Sequence, residues 1–367
     1  MPPPSTPAAT PIYTATPQLA VDGAIVERLV ENLVELEVVE EAGGLSRCEA
    51  LFSNTGEDAD GSVVQPFDLA DSPLVFGKSL RVGLGEAGTS VEVFVGRISA
   101  LEGVYANEHE PRLRVLAEDS LLASRLARRS KSHPAGTLAA LVRTVAGATG
   151  LTPVIDGCTQ SIGIQIQLDE SDLAFLRRVL ARYDADCQVV GGDLHVSQRS
   201  SVRRGEITLD YPGALSRVRV LADLAHQVST VTWSGWDVAQ GQRITATSGA
   251  GAHLGPGTRG FTGKEVIEHA FGRRHEHLGG WSCSTQDEAQ ALVDAAHAAR
   301  SRRFVTVHGE CSGQVGLRVG THLTLTGLGQ RYSGLTYVTR VCHRYDRSEG
   351  YRCSFTAESA RFGGGDG

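Results

Sequence analysis

Arg112–Ser120 reads RLRVLAEDS, and Arg352–Ser359 reads RCSFTAES. In both, Arg stands five residues before an Ala, and Glu follows that Ala. Around the first copy, Leu113 and Val115 alternate with Arg112 and Arg114, while Val91, Val93 and Val95 alternate with Glu92 and Phe94. Around the second, Val305 and Val307 alternate with Thr306 and His308, and Leu323 and Leu325 with Thr324 and Thr326. Tyr337, Thr339, Val341 and His343 fall on one side of a predicted strand, and Tyr351, Cys353, Phe355 and Ala357 on one face of the next. A period of two with polar partners marks half-buried strands. The echo predicts two copies of one barrel-like unit, and three chains with two such units each can build a ring of six.

Between the copies the pattern changes. Thr137 is placed to cap a helix with the apolar face Leu138, Leu141, Val142 and Val145, ending near Gly147. A second helix is predicted from Asp169, with Leu173, Leu176, Val179, Leu180 and Tyr183 on its buried face. Asp169, Glu170 and Asp172 crowd its first turn, where the helix dipole favours negative charge. Two short strands flank Gly191 and Gly192. Further on, a strand through Val231 and Trp233 is expected to turn at Gly235-Trp236-Asp237, before a Gly-rich loop over Ser248–Gly263. Thr285 and Glu288 have the spacing of a capping box at the start of a third helix. The expected fold class is mainly β with an α+β insert: two related β-barrel, tube-like domains flanking and interrupted by a small helical α+β region. The predicted layout is a Pro-rich arm over 1–12, a first β-barrel domain over 13–120 and the α+β insert over 121–210. A second β-barrel domain follows over 211–360 with an inserted helix at 285–303, then a Gly-rich tail over 361–367.

Composition narrows the function classes. Hydrophobic residues make up 41% and charged residues 21% of 367, the balance of a folded globular chain. A net charge of −7 weighs against sequence-specific or general nucleic-acid binding, which needs a basic surface. There is no apolar run of about 18 residues, so no membrane-spanning helix is expected. Met1–Pro11 has neither basic residues nor an apolar core, so no secretory signal is expected and the chain reads as made in the cytoplasm. The seven cysteines form no CxxC pair and read as reduced, mostly buried thiols.

Three groups of residues invite a chemical reading. His275, Glu276 and His277 are potential zinc ligands, but Arg273 and Arg274 beside them would repel a cation, and a solvated polar loop is the expected state. Glu170 and Asp172 could pair as the two acids of a glycosidase, yet a place in a first helical turn accounts for both. Trp233 and Trp236 could stack on sugars, but on a strand and turn they read as packing residues. No GxSxG, P-loop or HExxH motif occurs. No catalytic, cofactor-binding or metal-ligating residue is therefore assigned, and no cofactor is expected.

Ile162–Val196, IGIQIQLDESDLAFLRRVLARYDADCQVVGGDLHV, resembles the signature of the phage late control gene D and VgrG family. The resemblance lies in Gln167 at a strand end, Glu170-Ser171-Asp172, and Phe175, Leu176 and Arg178 on a helix before a short hairpin. Val228–Val238, VSTVTWSGWDV, resembles the family's Val-rich strand ending in Gly235-Trp236-Asp237. Cys311–Phe355 resembles its closing pattern, with Gly320 before a strand, Tyr332-Ser333-Gly334, Tyr337, Val341 and His343. The likeness runs from about Tyr13 to Phe362, and one departure is Asp184, where the family commonly has Gly.

That resemblance implies a structural, non-catalytic hub at the base of the spike in a contractile tail or injection system. Such hubs are homotrimers whose two barrels per chain form a pseudo-six-fold ring on the inner tube protein. The opposite face holds a spike or spike-tip protein, with other baseplate proteins around it in an assembled particle. The chain stops at Gly367 just after a Gly-rich run, so the spike is expected either as a separate chain or as the continuation of a longer one. The alternative is a cell-wall- or glycan-acting β protein, hydrolase or lectin, on a hub-like scaffold.

Overall fold

The computed structural model describes residues 16–57, 60–85, 90–237, 240–249, 257 and 259–363. The expected Pro-rich arm, and residues 364–367 of the Gly-rich tail, lie outside the described residues. In chain order the main strands are β1 (Gln18–Val21), β2 (Leu33–Glu41), β3 (Arg47–Ser53), β4 (Ser79–Leu84), β5 (Val91–Ala106) and β6 (His109–Glu118). The central part holds β7 (Arg128–His133), β8 (Pro153–Asp156), β9 (Gln165–Ser171), β10 (Ala185–Val190) and β11 (Asp193–Gln198). The rest comprises β12 (Gly205–Asp210), β13 (Leu215–Ala222), β14 (Thr230–Asp237), β15 (Gln242–Thr247), β16 (His275–His277), β17 (Val305–Ser312), β18 (Thr321–Thr326), β19 (Gly334–Asp346) and β20 (Gly350–Ser359). The longer helices are α1 (Leu138–Thr149), α2 (Asp172–Arg182), α3 (Gly263–Phe271) and α4 (Gln286–Arg302).

The frame is one 13-stranded sheet. Within it, β2-β3-β6-β5-β4 and β13-β17-β20-β19-β18 are two five-strand paths with the same order. The equivalence extends to register. Ile98 faces Ala117 before a one-residue bulge at Ser99, and Val338 faces Ala357 before a bulge at Thr339. Leu33 faces Phe52 with a shift before Glu35, and Leu215 faces Cys311 with a shift before Arg217. Bulges bend a strand and sharpen its twist, so matching bulges give the two units matching curvature. The sequence echo is therefore a true internal repeat at the level of strand order.

The expected closed barrels are not seen: among the described residues no pairing closes either path. Instead β2, the edge of the first unit, pairs antiparallel with the second half of β19, from Arg340↔Glu41 to Asp346↔Glu35. One continuous apolar core, from Leu19 and Phe52 through Val115 to Val307, Leu323 and Phe355, underlies both units.

Two smaller cores hang from this frame. One packs α1 and α2 on the sheet β8-β11-β10, with Val142, Phe175, Val179 and Val196 fully buried. Thr137 caps α1 as expected, accepting from the Ala140 N–H at 3.1 Å, but the helix runs past Gly147. It stops at Gly150, whose φ of 75° is the left-handed conformation that a glycine adopts without strain. The other packs α4 on β14 and β15 around Val231, Trp233, Leu292 and Val293. Part of the expected Ser248–Gly263 loop, residues 250–256 and 258, lies outside the described residues. Its end already holds the N-cap of α3, where Thr262 and Glu265 form a full capping box.

Candidate functional site

Each of the two repeated paths leaves one strand edge unpaired among the described residues. β13 pairs only with β17, so its outer edge has no strand partner among the described residues. β5 pairs with β4 over Val91–Arg97 and with β6 over Arg97–Ala106, leaving the second edge of its outer half unpaired among the described residues. Tyr105 and Leu221, one on each edge, are large apolar side chains 64% and 46% exposed. An unpaired edge with exposed apolar groups is a template for another strand.

The residues around Gln167 do come together, and the geometry explains them as a scaffold. Ser171, not Asp169, is the N-cap of α2: its hydroxyl accepts from the Ala174 N–H at 3.2 Å. β9 continues through Ser171, so Asp169 and Glu170 sit on a strand and only Asp172 is in the first turn. The Gln167 amide donates to the Glu170 carbonyl at 3.0 Å and to Asp172 Oδ1 at 2.9 Å, and Arg129 Nε reaches Asp172 Oδ2 at 3.0 Å. Arg178 holds the Glu170 carboxylate through two nitrogens at 2.8 Å, donates to the Ile166 carbonyl at 2.7 Å, and lies over the Phe175 ring. His133 stacks on the same ring, 4.8 Å between centroids, and Leu176 is buried. The two acids are thus separately engaged by different guanidinium groups.

The other motif residues lie apart. Gly235, Trp236 and Asp237 are not a turn: all three stay in β14, facing Ile244, Arg243 and Gln242. Trp236 is exposed, whereas Trp233 is buried and donates its indole N–H to the Trp281 carbonyl at 3.1 Å. Gly320 has φ of 89° before β18, and a Cβ there would meet Val202 Cγ1 at 2.8 Å. Tyr332 sits edge-on to Phe362, Gly334 opens β19, and Tyr337 and His343 are buried along it. His275–His277 is strand β16 beside β14, not a loop, and Arg300 takes the Glu276 carboxylate. No group of three metal-ligating side chains occurs among the described residues.

Buried ions join the parts. Arg318 Nε donates to Glu40 Oε1 at 2.7 Å and the Val319 N–H to Oε2 at 3.2 Å, linking the second unit to the first. Burial pushes the Glu40 pKa up, but the charge and hydrogen bond of Arg318 outweigh it and hold the carboxyl below its usual 4.5. Asp184 has φ of 52°, a conformation that suits the Gly common in the resembling family, and its carboxylate is gripped by Arg302. Arg302 also reaches Glu358 at 3.1 Å, tying the end of α2 to the end of α4 and to β20. Glu288 does not complete the expected capping box. Thr285 caps α4, but the buried Glu288 carboxylate accepts from Gly163 N–H at 3.0 Å, Tyr183 hydroxyl at 2.9 Å and Ser284 N–H at 2.8 Å. It thereby pins α4 to the helical insert. Where first unit, insert and second unit meet, a cleft of about 670 Å³ is lined by Glu40, Asp119, Gln188, Arg204 and Arg318. Burial pushes the Asp119 pKa up to about 6, although Ser46 and Leu121 N–H groups donate to it. These carboxylates have local donors, which makes the cleft a structural joint.

A family model described as the Alg8 N-terminal domain matches residues 13–347. No curated protein matches significantly. Among solved structures, the 43 kDa tail protein of prophage MuSo2 from Shewanella oneidensis superposes with a TM-score of 0.67 at 11% identity, covering 94% of this chain and 98% of that one. The tail protein from Neisseria meningitidis MC58 gives 0.64 at 11% identity, covering 95% and 97%. The E. coli c3393 protein, a type VI secretion component described as structurally similar to T4 tail proteins gp27 and gp5, gives 0.55 at 14%, covering 92% and 76%. These likenesses establish a tail-protein fold. The family match carries a different name from the late control gene D and VgrG families that the motifs resemble.

Proposed function

We propose that this chain, which belongs to the Alg8 N-terminal domain family, is a non-catalytic hub of a contractile tail or injection system. In this reading three copies close into a pseudo-six-fold ring between an inner tube protein and a three-fold spike or spike-tip protein, within a larger baseplate. The tail-protein fold supports it, and one observation carries it: the way the two units of one chain join. The edge strand of the first unit, β2, adds to the outer half of β19 in the second. By the repeat, the counterpart of β2 is β13 and the counterpart of outer β19 is outer β5, and both of these edges are unpaired among the described residues. Repeating the internal joint between chains pairs β13 of one copy with β5 of the next, head to tail, a contact that makes a ring of three when its rotation closes. The register carried over sets Tyr105 opposite Val218 and Gly103 opposite Val220 of the neighbour. Each added joint covers an edge that would otherwise invite aggregation.

The test is the mass and shape of the purified chain, alone and with its tube and spike partners. A trimeric annulus is expected, and a Tyr105→Cys/Val218→Cys variant should cross-link between chains on mild oxidation. A chain that stays monomeric in every mixture, or a trimer that never forms that cross-link, overturns the proposal. The glycan-acting alternative has less support: Glu170 and Asp172 are engaged by separate arginines, and Trp236 stands on an exposed strand face. Turnover of peptidoglycan by the purified chain would favour it.

A further inference from the structure

The repeat also shows where the second unit departs from the first without a packing reason. In the first unit the cross-strand row Gly103–Leu113–Phe52–Leu33 is wholly apolar, with Leu113 facing Gly103 on β5 and Phe52 on β3. The equivalent row in the second unit is His343–Cys353–Cys311–Leu215, with Cys353 facing His343 on β19 and Cys311 on β17. All four are buried. Buried Leu113 and Phe52 fill the places of Cys353 and Cys311 in the first copy, so two thiols are not what the sheet requires there, while Gly103, the counterpart of His343, is exposed on the open half of β5.

A thiol, an imidazole and a phenol lie within reach of one another there. Cys353 Sγ lies 3.3 Å from His343 Nδ1 and 3.5 Å from the Tyr351 hydroxyl, and it accepts from the Gln314 N–H at 3.3 Å. The Tyr351 hydroxyl is itself 2.8 Å from His343 Nδ1. Burial raises the Cys353 pKa, but the Cys311 thiol donating to it and the His343 charge bring it well below its usual value, while Cys311 is pushed up by the same bond. Directly opposed residues on antiparallel strands have Cα atoms about 4.5 or 5.5 Å apart, both inside the range of about 4.4–6.8 Å that a disulfide spans. The other five cysteines are also buried and free, and Cys48, Cys158, Cys187, Cys283 and Cys342 are each shifted upward chiefly by burial.

We propose that Cys311 and Cys353 are an oxidation site, a cross-strand dithiol that a small hydroperoxide converts to a disulfide with His343 as the proton carrier. The Cys353 thiolate attacks one peroxide oxygen, forming an S–O bond and breaking O–O. Sulfur is oxidised by two electrons, and the departing hydroxide takes the proton held on His343. Cys311 then attacks the sulfenic sulfur, forming S–S and breaking S–O, and its proton leaves with hydroxide as water. Two thiols and one hydroperoxide thus become one disulfide and two waters when the oxidant is hydrogen peroxide. The bond staples β17 to β20 in the middle of the second unit, next to strands that carry the joint between the units.

The full chain is treated with hydrogen peroxide under native conditions, then denatured, alkylated and mapped by mass spectrometry. One linked pair, Cys311 with Cys353, is expected, with the other five cysteines alkylated. Cys311→Ser should abolish the link and leave Cys353 as a sulfenic acid that a cyclic dione traps. His343→Asn should slow the link about tenfold or more by returning Cys353 to an ordinary thiol. If that variant fails to fold, Tyr351→Phe, which keeps the ring and loses the hydroxyl, should slow it in the same direction. Cys353 collecting as sulfinic acid in the unsubstituted chain overturns the proposal. So do links scattered among all seven cysteines, or a folded chain left unoxidised by peroxide that consumes a free thiol.

Discussion

Replacing Arg318 by Met would test how far the joint between the two units rests on one buried ion pair. Arg318 donates twice to Glu40 Oε1 and reaches the Val93 carbonyl at 3.2 Å, while the Glu40 side chain is only 7% exposed. Methionine keeps much of the aliphatic volume and removes the charge, so at neutral pH it strands a buried carboxylate. That costs about 3–5 kcal/mol. Glu40 can relieve the cost by binding a proton, after which the lost bonds to Arg318 leave a deficit of about 1 kcal/mol. In the native chain the Glu40 pKa lies below 4.5, so its stabilisation is complete above that value and is lost as the pH falls through the lower folded one. In the variant the Arg318 charge no longer opposes desolvation, so the Glu40 carboxyl is expected to shift upward and take its proton at higher pH than in the native chain. Urea unfolding followed across pH should therefore show a gap of about 3–5 kcal/mol at neutral pH that narrows toward about 1 kcal/mol as the pH falls through the lowered native Glu40 value. Adding Glu40→Leu should recover most of the neutral-pH loss, because it removes the stranded charge. A gap that does not change with pH, or one under about 1 kcal/mol at neutral pH, would refute the reasoning.

Two further substitutions probe the other joints. Glu288→Gln turns one acceptor oxygen into a donor, facing either the Gly163 N–H and Tyr183 hydroxyl or the Ser284 N–H; a loss of about 1–3 kcal/mol in urea unfolding is expected, and no change would show that water replaces the bonds. Asp184→Gly restores the residue common in the resembling family and suits the positive φ, but it takes one partner from the buried Arg302. A net loss of about 1–3 kcal/mol is expected by the same assay, and a gain in stability would show that backbone strain outweighs the ion pair.

Much of the frame was legible because each strand's burial repeats every second residue. Tyr351, Cys353, Phe355 and Ala357 are all buried, as their alternation indicates, and Leu173, Leu176, Val179 and Leu180 bury the face that helical spacing assigns them. Caps were less certain. A short acidic run beside a strand can belong to either element, so Asp169 and Glu170 looked helical while β9 claims them. Thr285 and Glu288 have capping-box spacing, but a carboxylate three residues into a helix goes to whichever donors the fold brings, here those of Gly163, Tyr183 and Ser284. Gly235-Trp236-Asp237 looked like a turn because Gly and Asp favour one, and β15 paired it instead.

The amino-acid order by itself determined that the chain is β-rich, that two of its strand groups echo each other, and that a helical insert divides them, because periodicity and local turn chemistry are written within a few residues. It did not determine how the two groups meet. Closing each on itself and joining them edge to edge satisfy the same alternation, and only the tertiary structure chose, by setting β2 against β19 and leaving β13 and outer β5 open. The same holds for the ion pairs: Glu40 and Arg318 lie 278 residues apart, and nothing local to either one names the other.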